Sequence, residues 1–321
     1  MKRYLSFLIL ITAAVVWGLG FVMQKVAAAI EPFTLCAIRS FLAFIFLIFA
    51  IMGFDRLSKN GRHLFSKKGL DFKKSEIIGG AVCGIILFAA ANLQQMGLGE
   101  GTDAGKASFI TALYMVFVPI YSLFFKKKMR PIVPICVIIA VVGFYLLCIN
   151  ENFSIAPSDL LVFLCSLTFA VQIIAIDISL SYEGTDGVRL SCIQFLTAGV
   201  FSLIAALIFE RGQTLANTME YLPQLIYLGA VSSGVGYTFQ ILGQKHTPPA
   251  VASIVLSLES VFGALAGALI LKEKMLPREY IGCAVIFVAV ILSQIDFEAL
   301  RKKLRTNKSG SESEAEKLAE Q

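Results

Sequence analysis

The sequence predicts an all-α polytopic membrane protein with ten transmembrane helices arranged as two inverted five-helix repeats. Three observations predict it. The composition is 57% hydrophobic and only 16% charged, ten apolar segments are each long enough to cross a bilayer, and the two halves carry a weak internal repeat. A soluble domain is about a quarter charged and about half apolar. A water-soluble chain with a mean hydropathy of +0.78 would expose apolar patches that aggregate. Soluble enzymes, disordered chains and secreted disulfide scaffolds are set aside on that ground.

A helical span needs roughly 20 apolar residues. Ten such segments run over 5–27, 33–53, 76–98, 104–125, 131–149, 158–180, 188–209, 223–244, 249–271 and 277–296. They are continuously apolar rather than alternating, which excludes an outer-membrane barrel. Lys2 and Arg3 precede the first segment and Ala27–Ala29 follows it, in the manner of a secretory signal. Its apolar stretch exceeds the roughly 7–15 residues of a signal core, so it is read as a span.

Lys and Arg mark the cytoplasmic loops. With both termini inside, the inner segments hold Lys2 and Arg3, the bases of the 54–75 loop, Lys126–Lys128, Arg130, Arg189, Lys245 and the tail from Arg301. That is about 21 of the 28 basic residues by this segmentation. The outer connections carry Glu31, Glu100, Asp103, Glu151, Glu210 and Glu220, and only the last outer turn breaks the pattern with Lys272, Lys274 and Arg278. The clusters read as topology determinants and lipid-headgroup anchors, with no nucleic-acid partner. The expected placement is a bacterial plasma membrane with both termini cytoplasmic. Residues 298–321 are polar and read as a disordered cytoplasmic tail.

Sliding the sequence by 145 residues superposes Gln95 on Gln240, Thr102 on Thr247, Ala107–Ser108 on Ala252–Ser253, Leu113 on Leu258, Phe117 on Phe262 and Lys127 on Lys272. One residue of slip then places Met129 on Met275 and Pro131 on Pro277. The expected organisation is a first repeat over 1–149, an outer connection over 150–156 and a second repeat over 157–297. An odd number of spans in each half forces the second to run upside down. Many secondary transporters build two exchangeable conformations from such repeats.

Several stretches resemble a known family. They are Trp17–Gly18 followed by Phe21, Arg39–Ser40–Phe41, Ala107 to Tyr114 running on to Pro119, Ser253 to Glu259, and Leu269 to Glu273. Together with ten spans in two halves they look like the drug/metabolite transporter superfamily, specifically its EamA-type permeases. The resemblance covers nearly the whole chain except the tail. It implies a carrier, often an exporter, of amino acids, nucleosides, cofactors or toxic compounds, and it does not choose among them. Where a proline often follows the ninth-span glutamate in that family, this chain has Ser260, which argues against a broken ninth helix.

An ionisable group in a bilayer needs a partner, a wet cavity or a route to the interface. Glu259 lies near the middle of its span. It reads either as a proton-coupling or cation-binding carboxylate, or as a protonated structural acid. Arg39 lies about 9 Å inside the second span by the helical rise. It meets an anionic substrate group or a carboxylate, or it snorkels to the outer surface. Lys25 and Lys106 read as outer-side anchors, and Asp177 as a weak, wet candidate near an inner end. Among neutral groups, Asn92, Gln94, Gln95, Gln172, Gln194 and Gln240 interrupt apolar spans, joined by Trp17, Tyr114, Tyr237 and Ser257. Amides at this depth suit recognition of a polar solute and serve equally as interhelical glue.

Gly80-xxx-Gly84 and Gly263-xxx-Gly267 are close-approach motifs for the bundle or for a second protomer. Gly229, Ser232, Ser233, Gly234 and Gly236 make the eighth span pliable, and Gly18 and Gly20 do the same for the first. Gly101–Ala107 fails as a phosphate loop because Glu100 replaces the first glycine and Ala107 the final Ser/Thr. The seven cysteines form no CxxC pair, His63 and His246 no metal motif, and no GxSxG occurs. Asn152–Phe153–Ser154 is a glycosylation sequon that matters only in a eukaryotic secretory route.

The resulting expectation is a non-enzymatic secondary carrier without cofactor, exporting a small polar or amphipathic metabolite, with protons as possible coupling ion. The expected substrate-lining residues are Trp17, Arg39, Gln94, Gln95, Tyr114, Tyr237, Gln240 and Glu259. The alternatives are a passive channel and, further off, an intramembrane enzyme or scaffold. The expected assembly is a monomer or homodimer.

Overall fold

The computed structural model describes residues 2–57, 64–66, 69–125, 130–148, 156–210, 218–270 and 276–294. The basic turns at Lys126–Lys128 and Lys272–Lys274, Asn152 and the tail 298–321 lie outside the described residues. Nine helical segments long and apolar enough to span a membrane occur among those described: Tyr4–Ala29, Pro32–Arg56, Lys74–Gly99, Ala104–Phe124, Pro157–Leu180, Gly187–Phe209, Leu222–Gln244, Pro249–Ile270 and Pro277–Gln294. A shorter apolar helix, Ile132–Leu146, completes the series as the fifth. Helices are forced here because lipid offers backbone groups no partner. Four spans open on a proline (Pro32, Pro157, Pro249 and Pro277), whose missing N–H is one that a helix start leaves unpaired anyway. Asp186 caps the seventh span, its Oδ1 accepting from Val188 N at 2.9 Å and Arg189 N at 3.0 Å. The one described departure from helix and turn is a short hairpin pairing Phe65–Ser66 with Gly69–Leu70.

The packing obeys one rule. The first span packs on the eighth and ninth, and the sixth packs on the third and fourth. The second packs on the eighth as the seventh packs on the third, while the second–seventh, fourth–ninth and fifth–tenth pairs also meet. Exchanging each span for the one five places along maps every one of these pairs onto another or onto itself. That is the contact pattern of two equivalent halves related by a pseudo-two-fold axis.

Glycines permit the tightest crossings. A Cβ on Gly80 would lie 2.6 Å from Ile193 Cβ, and one on Gly84 would lie 2.5 Å from the Gln194 carbonyl oxygen. Gly18 faces Phe262 and the Gly263 backbone just as closely. Both glycine motifs are thus used inside the bundle.

Four spans depart from regular α-helix, the first only in its closing 3₁₀ turn at Ala27–Ala29. The fourth breaks between Ala112 and Tyr114, and the ninth between Leu256 and Glu259. The continuous ninth helix expected from Ser260 is therefore corrected. The break needs no proline, because the chain tightens into i−3 hydrogen bonds. Leu113 N donates to Ile110 O and Leu258 N to Val255 O, both at 3.2 Å. Ser257 Oγ adds a bond to Ile254 O at 2.8 Å. The two breaks fall on Leu113 and Leu258, the pair that the 145-residue shift superposes. In the eighth span, Tyr227–Tyr237 forms a π-helix, whose wider turn often marks functional positions.

Candidate functional site

A buried cavity lies where the first, second, third, fourth, sixth, eighth and ninth spans converge. Trp17, Arg39, Gln94, Tyr114, Tyr237, Gln240 and Glu259 all line it, so both halves build its wall. Gln95 does not. It is fully buried behind the wall, its Nε2 3.5 Å from the Gln24 carbonyl. The sequence reading missed Gln24, Thr111, Phe169 and Ser232 as lining, and had Gln172 only as an amide within a span. The cavity leaves about 30 Å³ for the centres of water-sized spheres, enough for about two waters and too little for an organic solute.

Arg39 does not snorkel. It is 5% exposed, with Nε donating to Ser233 Oγ at 3.1 Å and Nη1 to Gln24 Oε1 at 2.9 Å. Both partners are neutral, and no described carboxylate pairs with it. The π-helix supplies two further contacts. Trp17 Nε1 donates to the Ser232 carbonyl at 3.1 Å, and Gly236 leaves room for the indole ring. Trp17 also packs on Tyr237, ring centroids 4.7 Å apart. Gln94 Nε2 donates to Thr111 Oγ1 at 3.1 Å. An amide chain crosses three spans of the second half: Gln240 Nε2 donates to Gln172 Oε1 at 3.3 Å, and Gln172 Nε2 to Gln194 Oε1 at 3.4 Å.

Glu259 is 3% exposed and Tyr114 is 3% exposed. The Tyr114 hydroxyl and the Glu259 carboxyl interact with one another, although Tyr114 Oη and Glu259 Oε1 make no hydrogen bond of good geometry among the described residues. Each is the first residue of the half-helix that follows a break. Glu259 therefore sits at a helix start, where unpaired N–H groups favour a carboxylate.

Polar ties close both ends of the bundle. At one end Arg189 Nη2 reaches Asp55 Oδ1 and Oδ2 at 2.9 and 2.7 Å, with both side chains buried. Asp55 also accepts from Leu64 N at 2.7 Å, and Glu76 accepts from Asp186 N at 3.0 Å. At the opposite end Asp159 accepts from Thr102 Oγ1 at 3.1 Å and Lys106 Nζ at 2.5 Å. Lys25 Nζ donates to the Leu98 and Thr102 carbonyls, and Glu210 accepts from Phe33 N and Thr34 N at 2.7 Å. Lys25 and Lys106 are thus ties between elements rather than anchors at the interface. A second hollow of about 420 Å³ at this end is lined by Glu31, Glu100 and Glu210 among others, and no residue expected at the substrate site reaches it.

Ten apolar helices in two equivalent halves, closed around a polar cavity at their junction, define a membrane transporter. The chain belongs to the EamA-like transporter family, which it matches over residues 5–149 and again over 156–294. It is 30% identical over 295 residues to an uncharacterized transporter of Archaeoglobus fulgidus, covering 91% of this chain and 86% of that one. It is 23% identical over 296 residues to the uncharacterized transporter YoaV of Bacillus subtilis, covering 90% and 96%. A crystal structure of a protein at 17% identity superposes with a TM-score of 0.72, covering 93% of this chain and 98% of the other. That likeness concerns the fold.

Proposed function

We propose that the chain is a secondary carrier that exports a small polar or amphipathic metabolite by alternating access, with Trp17, Arg39, Gln94, Tyr114, Tyr237, Gln240 and Glu259 as its substrate-binding set. The observation that carries the reading is a cavity walled by both halves, with polar ties at both ends. A solute bound there meets each face in turn as the halves rock. The contracted cavity corresponds to a state closed to both sides, and it widens when one set of ties parts.

Glu259 is the proposed coupling group. A carboxyl in a dry site takes up or releases a proton as its surroundings open to water. In this reading the protein sits in a bacterial plasma membrane with both termini cytoplasmic, which the basic residues of the inner loops favour. The repeats are 1–149 and 157–297, joined by an outer connection at 150–156.

Counterflow in proteoliposomes tests the carrier. Saturable exchange of a labelled solute against its unlabelled form is expected, and flux that neither saturates nor exchanges points to a passive channel instead. Glu259→Gln is expected to abolish the response of transport to a pH gradient. An unchanged response in that variant removes proton coupling through Glu259.

A further inference from the structure

We infer that the carboxylate ties at the two ends of the second and seventh spans are the gates that part in turn, and that the bodies they join are two mixed bundles rather than the two repeats; the inference rests on the carrier reading. One bundle holds the first, second, eighth and ninth spans, where the first packs on the eighth and ninth and the second on the eighth. The other holds the third, fourth, sixth and seventh, where the sixth packs on the third and fourth and the seventh on the third. Each bundle takes two spans from each repeat. The two meet along the second–seventh and fourth–ninth pairs.

Close packing sorts the same way. Inside the bundles a Cβ on Gly84 would lie 2.5 Å from the Gln194 carbonyl oxygen, one on Gly229 2.5 Å from Leu42 Cβ, and one on Gly18 2.6 Å from Phe262 Cβ. Between the bundles a Cβ on Gly199 would lie 3.3 Å from Ser40 Cβ, and one on Gly263 3.4 Å from Ser108 Oγ. Gly187, the tighter glycine there, meets only the Ile241 and Leu242 side-chain methyls, at 2.9 and 3.3 Å. Interlocked surfaces move together, and looser ones can part. The Lys106–Asp159 and Glu76–Asp186 ties lie within one bundle, and those of Arg39 to Ser233 and of Trp17 to Ser232 within the other. These stay made throughout the cycle.

Two carboxylates cross between the bundles from equivalent places. Asp55, near the end of the second span, binds Arg189, the third residue of the seventh. Glu210, capping the end of the seventh, accepts from the N–H groups of Phe33 and Thr34, the second and third residues of the second span, and from Thr34 Oγ1 at 2.8 Å. One tie thus stands at each end of the same pair. Lys25 reinforces the Glu210 end by donating from the first span to the Leu98 and Thr102 carbonyls. Gln244 reinforces the Asp55 end by donating from the eighth span to the Ile173 carbonyl at 3.0 Å. Both gates are made at once here, and tilting the bundles about the middle of the pair strains one gate while it compresses the other.

Trp17 lines the cavity and is the only tryptophan in the chain. Iodide confined to one side of the membrane therefore reads which gate is open, by quenching Trp17, with no solute required. The full-length protein is reconstituted in liposomes at uniform orientation. Asp55→Leu with Arg189→Met removes one gate without stranding a charge, and quenching is expected to rise severalfold from that face alone. Arg189→Lys, which keeps the charge without the two-oxygen grip, is expected to act in the same direction and serves where the double variant fails to fold. Glu210→Gln and Lys25→Met are expected to raise quenching from the opposite face alone. Lys106→Met with Asp159→Asn cuts an ion pair inside one bundle, and it is expected to lower the unfolding midpoint and leave quenching from both faces unchanged.

Opening of the cavity to either face by the Lys106 and Asp159 variant overturns the inference, as do folded gate variants that leave Trp17 shielded or expose it from the wrong face. Counterflow of labelled solutes on the same liposomes separates the two readings. Exchange without face-specific quenching removes the gates and leaves the carrier standing. Face-specific quenching without exchange leaves the gates standing and removes the carrier.

Discussion

Tyr114 and Glu259 occupy the same place in the two halves. They lie 145 residues apart, one step beyond the Leu113 and Leu258 breaks, and both line one cavity, where the phenol and the carboxyl interact. A pseudo-symmetric fold that puts a phenol in one half and a carboxylate in the other has made the two copies chemically distinct where the solute is proposed to sit.

Tyr114→Phe removes a buried hydroxyl that faces the Glu259 carboxyl without a hydrogen bond of good geometry. Folding stability is expected to change by no more than about 1 kcal/mol in either direction, read as the thermal unfolding midpoint in detergent. Solute half-saturation is expected to worsen severalfold in proteoliposomes. A large loss of stability with normal transport would contradict the placement of this residue at the binding site.

Gly84→Ala puts a Cβ 2.5 Å from the Gln194 carbonyl oxygen and 2.6 Å from Thr197 Cβ. Neither atom is the free end of a flexible chain, so the third and seventh spans must separate. The expected cost is about 1–3 kcal/mol, seen as a lower unfolding midpoint. Gly99, with nothing within 4 Å of its Cβ position, should accept alanine with little change and serves as the control.

Asp55 and Arg189 form a buried pair, so losing one partner strands the other. Asp55→Asn or Arg189→Gln should each destabilise by about 3–5 kcal/mol, while the double replacement Asp55→Leu with Arg189→Met should recover most of that loss. Thermal unfolding of the four proteins checks it. The double variant is also expected to alter transport if this tie closes one end of the bundle as proposed.

Gln172→Leu cuts the amide chain between Gln240 and Gln194 and leaves both ends short of a partner. A loss of about 1–3 kcal/mol is expected, again read as the unfolding midpoint. Gln172 also lines the cavity, so solute half-saturation should shift in the same variant.

The spans were legible because lipid demands long apolar runs, and the candidate site because a polar group in such a run has no bland surroundings to hide in. Arg39, Gln94, Gln240 and Glu259 stand out for that reason. What stayed hidden has physical causes. Gln24 sits beside Lys25 near the end of its span and looks like an interface residue, although it holds Arg39. Ser232 contributes its backbone carbonyl to Trp17, which no side-chain pattern reveals. Gln95 has the depth of Gln240 but faces away, because depth fixes height along a helix and not direction around it. The absence of a proline after Glu259 suggested a continuous helix, whereas local i−3 bonding at Leu258 breaks it.

The π-helix at Tyr227–Tyr237 has no counterpart in the first half, where the third span runs as unbroken α-helix over Lys74–Gly99. The two end states of the proposed carrier are therefore not expected to be energetic mirror images. Half-saturation concentrations measured from the two faces should differ, while the ratio of maximal rate to half-saturation stays equal in both directions when no gradient is imposed. A carrier with that kinetic asymmetry can be tuned to the very different solute levels on either side of its membrane without any change in the work it performs per cycle.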